Sequence, residues 1–174
     1  MSSFFTRQLA SYAAVHRDPR NKATHFIGIP VIVFSLLLVL ALWRIPAGNT
    51  VVTGALVVGV LAVLGWIGLD IGVGLAMGVI MVLFWLVAEW LARQLGPTNT
   101  WIAFAALFVG GWILQFLGHH YEGKRPALID NLFQAFIGPM FLVAETMVAL
   151  GWRRDLHDAM TSGTAAPRGL VTPR

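Results

Sequence analysis

A chain of 174 residues with 57% hydrophobic and 11% charged side chains is too apolar for one small soluble core, since soluble domains average about 25% charged residues. A lipid bilayer accepts such a surface. The absence of cysteine excludes disulfides, thiolate metal centres and cysteine nucleophiles, and the placement of Lys and Arg says more than the net charge of +4, because these residues favour the cytoplasmic side.

The first apolar run is preceded by Arg7, Arg17, Arg20 and Lys22. It is too long for a signal-peptide core and no small-residue cleavage site follows it, so a retained span is expected. Residues 3–17 predict an amphipathic helix in the membrane interface, with Phe5, Leu9, Tyr12 and His16 on one face. Pro19 disfavours helix at Asp18, so this helix ends near there. Asn21 is the expected N-cap of the next helix.

A first span is predicted from Phe26 to Trp43, followed by a loop with Arg44, Pro46, Gly48 and Asn49. A second runs from Val51 to Leu69, and Gly68–Gly72, around Asp70, predicts a tight hairpin into a third span, Ile71 to Leu91. Arg93, Gly96, Pro97 and Asn99 form the next loop, and a fourth span covers Thr100 to Gly118. The polar segment 119–131 then precedes a fifth apolar stretch, 132–150, which holds Gln134, Glu145 and the pair Gly138-Pro139. From Gly151 the chain is a polar, basic tail whose last dozen residues look disordered. Gly68, Gly72, Gly74 and Gly78 give small-residue spacings suited to close helix packing. The expected fold is all-α: a polytopic membrane bundle of four full transmembrane helices, an N-terminal amphipathic helix, and a fifth apolar helix broken at its Gly-Pro pair. Residues 1–150 form one domain and 151–174 the tail.

Topology gathers the histidines. Four spans separate His25 from His119, and an even number of crossings returns a chain to its starting side. His16, His25, His119 and His120 therefore share one face, and the basic residues of the N-terminal segment, with Lys124 and Arg125, make that face cytoplasmic. The four arginines after residue 150 conflict with a complete fifth crossing. A break at Gly138-Pro139 would keep the tail inside as a re-entrant or half-buried element. Glu89 lies at the opposite face, where an interfacial role is expected. The tryptophans near span ends suit an aromatic belt, and His157 is a solvated residue of the tail.

Histidine is the commonest side-chain ligand of transition metals, and imidazoles suit zinc, copper, iron and nickel alike. Gln115, His119 and Glu122 share a helical face by their spacing, whereas His119 and His120 point apart. Gln134 and Glu145, inside an apolar stretch, are expected to bond helices together. Lys124 and Arg125 are candidates to pair with a lipid-like carboxylate.

Two segments carry a family resemblance: 16–30, HRDPRNKATHFIGIP, and 115–139, from QFLGHHYEGKRPALIDNLFQ to IGP. Together they resemble the Mpo1-like family, formerly a domain of unknown function, over roughly residues 12–150. The resemblance implies a membrane-bound, Fe(2+)-dependent dioxygenase of 2-hydroxy fatty acids that shortens the acid by one carbon through α-oxidation. It makes His16, His25 and His119 the candidate iron ligands, with Glu122 as a further candidate; His120, at a position that varies in the family, is a further candidate by residue type alone. Asn21, Gln115, Asn131 and Gln134 match as supporting residues. A 2-hydroxy fatty acid, O2 and the bilayer are the expected partners, with no nucleic acid. The Ala-, Gly- and Val-rich style suggests a bacterial plasma membrane, with the endoplasmic reticulum as the eukaryotic counterpart. A di-iron hydroxylase is disfavoured, because such proteins use about eight histidines by family analogy and five exist here. A non-enzymatic haem or metal protein and a metal-free structural protein are the other classes.

Overall fold

The structure is a computed structural model that describes residues 1–123 and 133–162. The candidate residues Lys124, Arg125 and Asn131, and the last dozen residues, lie outside the described residues. The described chain is mostly helical.

Helix α1, Ser3–Ala14, starts where the Ser2 hydroxyl accepts the Phe5 N–H at 3.2 Å, and it buries Phe5, Leu9 and Tyr12 as their spacing predicts. Helix α2, Pro19–Leu40, is capped by Asp18, whose carboxylate accepts the Arg20 N–H at 2.8 Å. Pro19 occupies the first helical position, where its missing N–H costs nothing. Asn21 is therefore not the N-cap; it lies inside α2 and is fully buried. The expected loop after α2 is a β-hairpin, β1 Arg44–Ala47 antiparallel to β2 Thr50–Thr53, turned by Gly48 at φ 61°.

Helix α3 is Gly54–Leu69 and helix α4 is Ile71–Glu122. Asp70 alone separates them, in extended conformation, with its carboxylate accepting the Val73 N–H at 2.9 Å. The turn is thus one residue rather than the whole of Gly68–Gly72. A Cβ on Gly74 would lie 2.6 Å from the Ile67 Cα, so glycine is required for the two helices to close on each other. Within α4, Gly96 has φ 69° and ψ 172° and precedes Pro97. The predicted loop of 93–99 shrinks to this one non-helical residue.

The chain reverses at Gly96. Phe34 of α2 meets Phe84 of the first arm of α4, with ring centroids 5.7 Å apart. Gly28, six residues earlier in α2, meets Gly111 of the second arm, whose carbonyl lies 3.0 Å from the Cβ position. Along a straight helix residues 84 and 111 would be about 40 Å apart, against about 9 Å between 28 and 34. Both arms therefore pack on α2. Among the described residues two helices, α2 and α4, are long and apolar enough to cross a membrane, three if the bent pair that follows is one span, and α3 is a shorter apolar helix.

Helix α5, Phe133–Ala149, contains Pro139 and runs through Gly138-Pro139 without the expected break. The break comes after Ala149. Gly151 has φ 74°, and the Trp152 and Gly151 N–H groups bond back to Met147 and Val148, the left-handed glycine stop of a helix. The chain bends there by 120° into α6, Arg154–Ser162. This start of the polar tail is amphipathic: Leu156, Ala159 and Met160 are buried, and α6 packs on α1.

Polar clusters mark two ends. At one, the Arg153 guanidinium grips Asp70 with bonds of 3.1 and 3.0 Å, and the terminal amine of Met1 lies 3.5 Å away. At the other, Glu89 is buried. It accepts the Thr53 hydroxyl and pairs with Arg44 at 3.4 Å and Arg93 at 3.5 Å. The helical rise puts residues 70 and 89 about 28 Å apart, close to the roughly 30 Å of a bilayer's hydrocarbon core. Leucines and valines between them are exposed outward, Leu61, Leu75 and Val79 among them.

Burial raises the Asp70 carboxyl, but the Arg153 bonds and charge and the Val73 N–H overcome this and hold it at about 2, below its ordinary 3.8. A depressed folded-state value means that the ionised form stabilises the fold above about pH 4, and that this contribution fades as pH falls towards 2. Arg153→Ala should therefore lower unfolding stability in detergent by about 3 kcal/mol at pH 7, with the deficit shrinking near pH 2. An equal deficit at both pH values would sink this account. Gly118→Val should unfold at markedly lower temperature, because a Cβ there falls 2.5 Å from Asn21 Oδ1 and 2.9 Å from His25 Nδ1. Gly110→Ala, with open space at its Cβ position, should be neutral or slightly stabilising in the same melting assay.

Candidate metal centre

His16, His25 and His119 arrive from three elements. His16 follows α1, where the chain leaves the helix before Pro19; His25 lies in the second turn of α2; His119 is in the last turn of α4. The nine-residue gap between the first two, which would oppose them on one straight helix, is resolved by the turn at residues 15–18. All three are buried, and one nitrogen of each lies within 4.8 Å of the others.

The tautomers follow from the partners. His16 Nδ1 is 2.7 Å from the Tyr12 carbonyl and His25 Nδ1 is 2.9 Å from the Asn21 carbonyl. A carbonyl only accepts, so both Nδ1 atoms carry the proton and both Nε2 atoms present lone pairs. Those two Nε2 atoms face each other at 3.2 Å. Two lone pairs at that distance repel unless a proton or a cation lies between them. Burial opposes the protonated form of His16 most, and the neighbouring histidines add to this, so its pKa falls to about 3 against the raising effect of the Tyr12 carbonyl. The imidazole is neutral near pH 7, the form that binds metals. His119 Nδ1 is buried with no hydrogen-bond partner among the described residues. Nitrogen ligands at roughly 2.1 Å from one ion lie about 3 Å apart in adjacent positions, which is the His16–His25 spacing. The donor set therefore fits a transition metal.

Supporting contacts hold these rings. Tyr12 stacks on His16 with centroids 3.9 Å apart and planes 1° from parallel. Glu122, one of the further candidate ligands, turns towards the backbone. Its carboxylate accepts the Arg17 N–H at 3.0 Å, the Asp18 N–H at 2.8 Å and the Asn21 side-chain amide at 3.1 Å. It ties the end of α4 to the start of α2 rather than joining the three nitrogens. His120, the other further candidate, is exposed and points away, as the 100° step between adjacent helical residues requires. Gln115 sits one turn before His119 and is buried, as is Gln134 of α5, whose amide donates to Gln8 Oε1 at 2.6 Å. Glu145 pairs with Lys22, bonding α5 to α2.

Below the histidines a cavity of about 340 Å³ runs between α2, the second arm of α4 and α5. Its walls are Ile29, Ile32, Leu36, Phe108 and Trp112, with Gln115 and Gln134 beside the rings. The helical rise places Leu36 about 16 Å along α2 from His25.

Two contributors are not evident from sequence as parts of a site. Tyr12 shows only as a buried-face aromatic, though it supplies both the carbonyl and the stacking surface for His16. Gly118, which leaves room for Asn21 and His25, has one weak signal: with Gly111 it repeats after seven residues, two turns on one face.

Residues 2–150 match the family model described as 2-hydroxy-palmitic acid dioxygenase Mpo1-like. The 2-hydroxy-palmitic acid dioxygenase MPO1 of Saccharomyces cerevisiae is 34% identical over 153 residues, covering 83% of this chain and 80% of the yeast protein. No solved structure matches. The match spans the three histidines, the cavity and every helix from α1 to α5: the chain belongs to the Mpo1-like family.

Proposed function

We propose that this chain is a membrane-bound Fe(2+)-dependent dioxygenase that uses O2 to convert 2-hydroxy fatty acids into the acid one carbon shorter. The observation that carries the proposal is the set of three neutral-capable imidazoles converging within 4.8 Å at the head of an apolar cavity. The yeast relative, whose name specifies 2-hydroxy-palmitic acid, supports the substrate class.

His16, His25 and His119 would hold the ion. Ferrous iron would supply the redox chemistry that lets O2 react with an organic substrate. The chain supplies the rest. The Tyr12 and Asn21 carbonyls fix the tautomers of His16 and His25, keeping both Nε2 lone pairs aimed at one point. Glu122 locks the α2 start against the α4 end. The cavity takes the acyl tail, excludes water from the reacting C1–C2 bond and directs the polar head towards the histidines. Lys124 and Arg125, two and three residues beyond Glu122 in sequence, are proposed as cationic partners of the carboxylate, and Asn131 as a supporting residue.

In the membrane we propose four crossings: α2, α3 and the two arms of α4, whose 52 residues are about twice the length of one crossing. The histidine end faces the cytoplasm, by the Arg and Lys residues around α1 and α2, in a bacterial plasma membrane. Helix α5 stays at that end, tied by Gln134 to Gln8, Glu145 to Lys22 and the following Arg153 to Asp70. The tail then remains cytoplasmic without a fifth crossing.

Purified protein given Fe(2+), O2 and 2-hydroxypalmitate should consume oxygen and yield pentadecanoate, identified by mass spectrometry. His25→Ala should remove both bound iron and turnover while the protein keeps its helical circular dichroism; full turnover in that variant would overturn the ligand set. Glu122→Gln keeps the side-chain shape but weakens the bonds to Arg17 and Asp18, and iron affinity should fall about tenfold or more by competition with a chelator. Unchanged affinity would remove Glu122 from the supporting role.

A further inference from the structure

Tyr12 meets the cavity with a group that the histidine cluster does not use. Its carbonyl accepts the His16 Nδ1 proton and its ring stacks on His16, but its hydroxyl makes no hydrogen bond to any described residue. Hydroxyls on buried residues are seldom left so, and Tyr12 is only 6% exposed. Nor is the oxygen sealed inside the protein. Among the described residues, the side-chain polar atoms that are both fully enclosed and unpaired include Trp85 Nε1 and His119 Nδ1, and the Tyr12 oxygen is not one of them. The open space that Tyr12 lines is the cavity below the histidines. A Cβ on Gly138, another lining residue, would fall 3.1 Å from this oxygen and 3.3 Å from Ile29 Cδ1. Ile29 is four residues, about one helical turn, along α2 from His25. The hydroxyl therefore borders the cavity close below the three imidazoles.

The oxygen sits on the ring axis, so a flip of the ring leaves it in place, and a phenol is protonated at pH 7. Tyr12 thus brings one O–H donor into a space walled by Ile29, Ile32, Leu36, Phe108 and Trp112. Ligand sites are commonly built this way, apolar with a few placed polar groups that fix orientation. An ionised carboxylate matches the donor best, because it only accepts, and a charge-assisted bond is roughly twice as strong as a neutral one. We infer that the Tyr12 hydroxyl donates a hydrogen bond to the carboxylate of the bound acid and so positions its head against the histidines. The inference rests on the proposed function for the identity of the acid, and it adds a substrate-binding residue to that site. It is compatible with a further cationic contact to the carboxylate.

The test is equilibrium binding to the full chain in detergent, loaded with Fe(2+) and kept free of O2 so that nothing turns over. The ligands are radiolabelled 2-hydroxypalmitate, palmitate and 1,2-hexadecanediol; the diol keeps the 2-hydroxyl and lacks the carboxylate. Tyr12→Phe keeps the ring on His16 and the carbonyl on its Nδ1, so Fe(2+) affinity and melting temperature should match the wild type. Both acids should bind about tenfold more weakly, and the diol as well as before. Lower Fe(2+) affinity or a lower melting temperature in Tyr12→Phe would give the hydroxyl a structural role and overturn the inference. Equal weakening of the acids and the diol would place the bond on the 2-hydroxyl and overturn the carboxylate assignment. Unchanged acid binding in Tyr12→Phe, with wild type that shortens 2-hydroxypalmitate once O2 is admitted, would remove this inference and leave the dioxygenase standing. Weakened acid binding in the variant, with wild type that shortens nothing, would keep the Tyr12 contact and remove the proposed reaction.

Discussion

The Glu122 carboxylate accepts two backbone N–H groups, from Arg17 and Asp18, and the Asn21 amide, and the histidine cluster depends on that junction. A helix begins with N–H groups that no intrahelical carbonyl can satisfy, and a negative charge there gains from the helix dipole. The charge comes from more than a hundred residues later in the chain. It fastens the turn bearing His16, the helix bearing His25 and the helix end bearing His119 into one unit. Three imidazoles from three elements are thereby held with one nitrogen of each within 4.8 Å of the others.

Solvent explains the asymmetry of the molecule. Between the two polar ends the outward faces are apolar, and the helices are held by close approach: Gly28 against Gly111, Gly74 against Ile67, Gly118 beside Asn21 and His25. Polar chemistry collects at the ends. The far end uses it for fastening, through Glu89, Arg44, Arg93 and Thr53. The histidine end uses Asp70, Arg153 and Met1 in the same way. The α5 helix covers the cluster and is fixed by contacts to α1 and α2 rather than by depth in lipid. Its Gly138 lets it approach Tyr12 and Ile29 closely, which closes the cavity on that side.

Much of this was legible from the chain alone. Apolar run lengths placed α3 and both arms of α4 within a few residues and found α2, although its start lies at Pro19 rather than Phe26, and parity of crossings put His16, His25 and His119 on one side. The period of α1 exposed its buried face before any coordinates. Local rules failed where two of them competed. Asn21 and Asp18 are both good N-cap residues, and Pro19, which favours the first helical position, gave the role to Asp18. Gly138-Pro139 looked like a break, but packing against Tyr12 kept the helix intact, and Gly151 ended it instead. The residues from Arg154 to Ser162 looked like polar tail, yet Leu156, Ala159 and Met160 form one face that α1 covers.

The sequence by itself determined the membrane-suited helices, the shared side of the histidines and the family, because hydropathy, charge placement and motif are properties of residues along a line. Only the tertiary structure decided which polar groups meet. Glu122 shares a helical face with His119 and His120 does not, yet the first finds backbone amides and the second is exposed. Gln115 and Gln134 are polar residues in separate apolar runs until α4 and α5 bring both to one cavity. Which partner a polar atom finds depends on distances of a few tenths of an ångström between segments a hundred residues apart, and no pattern along the chain encodes them locally.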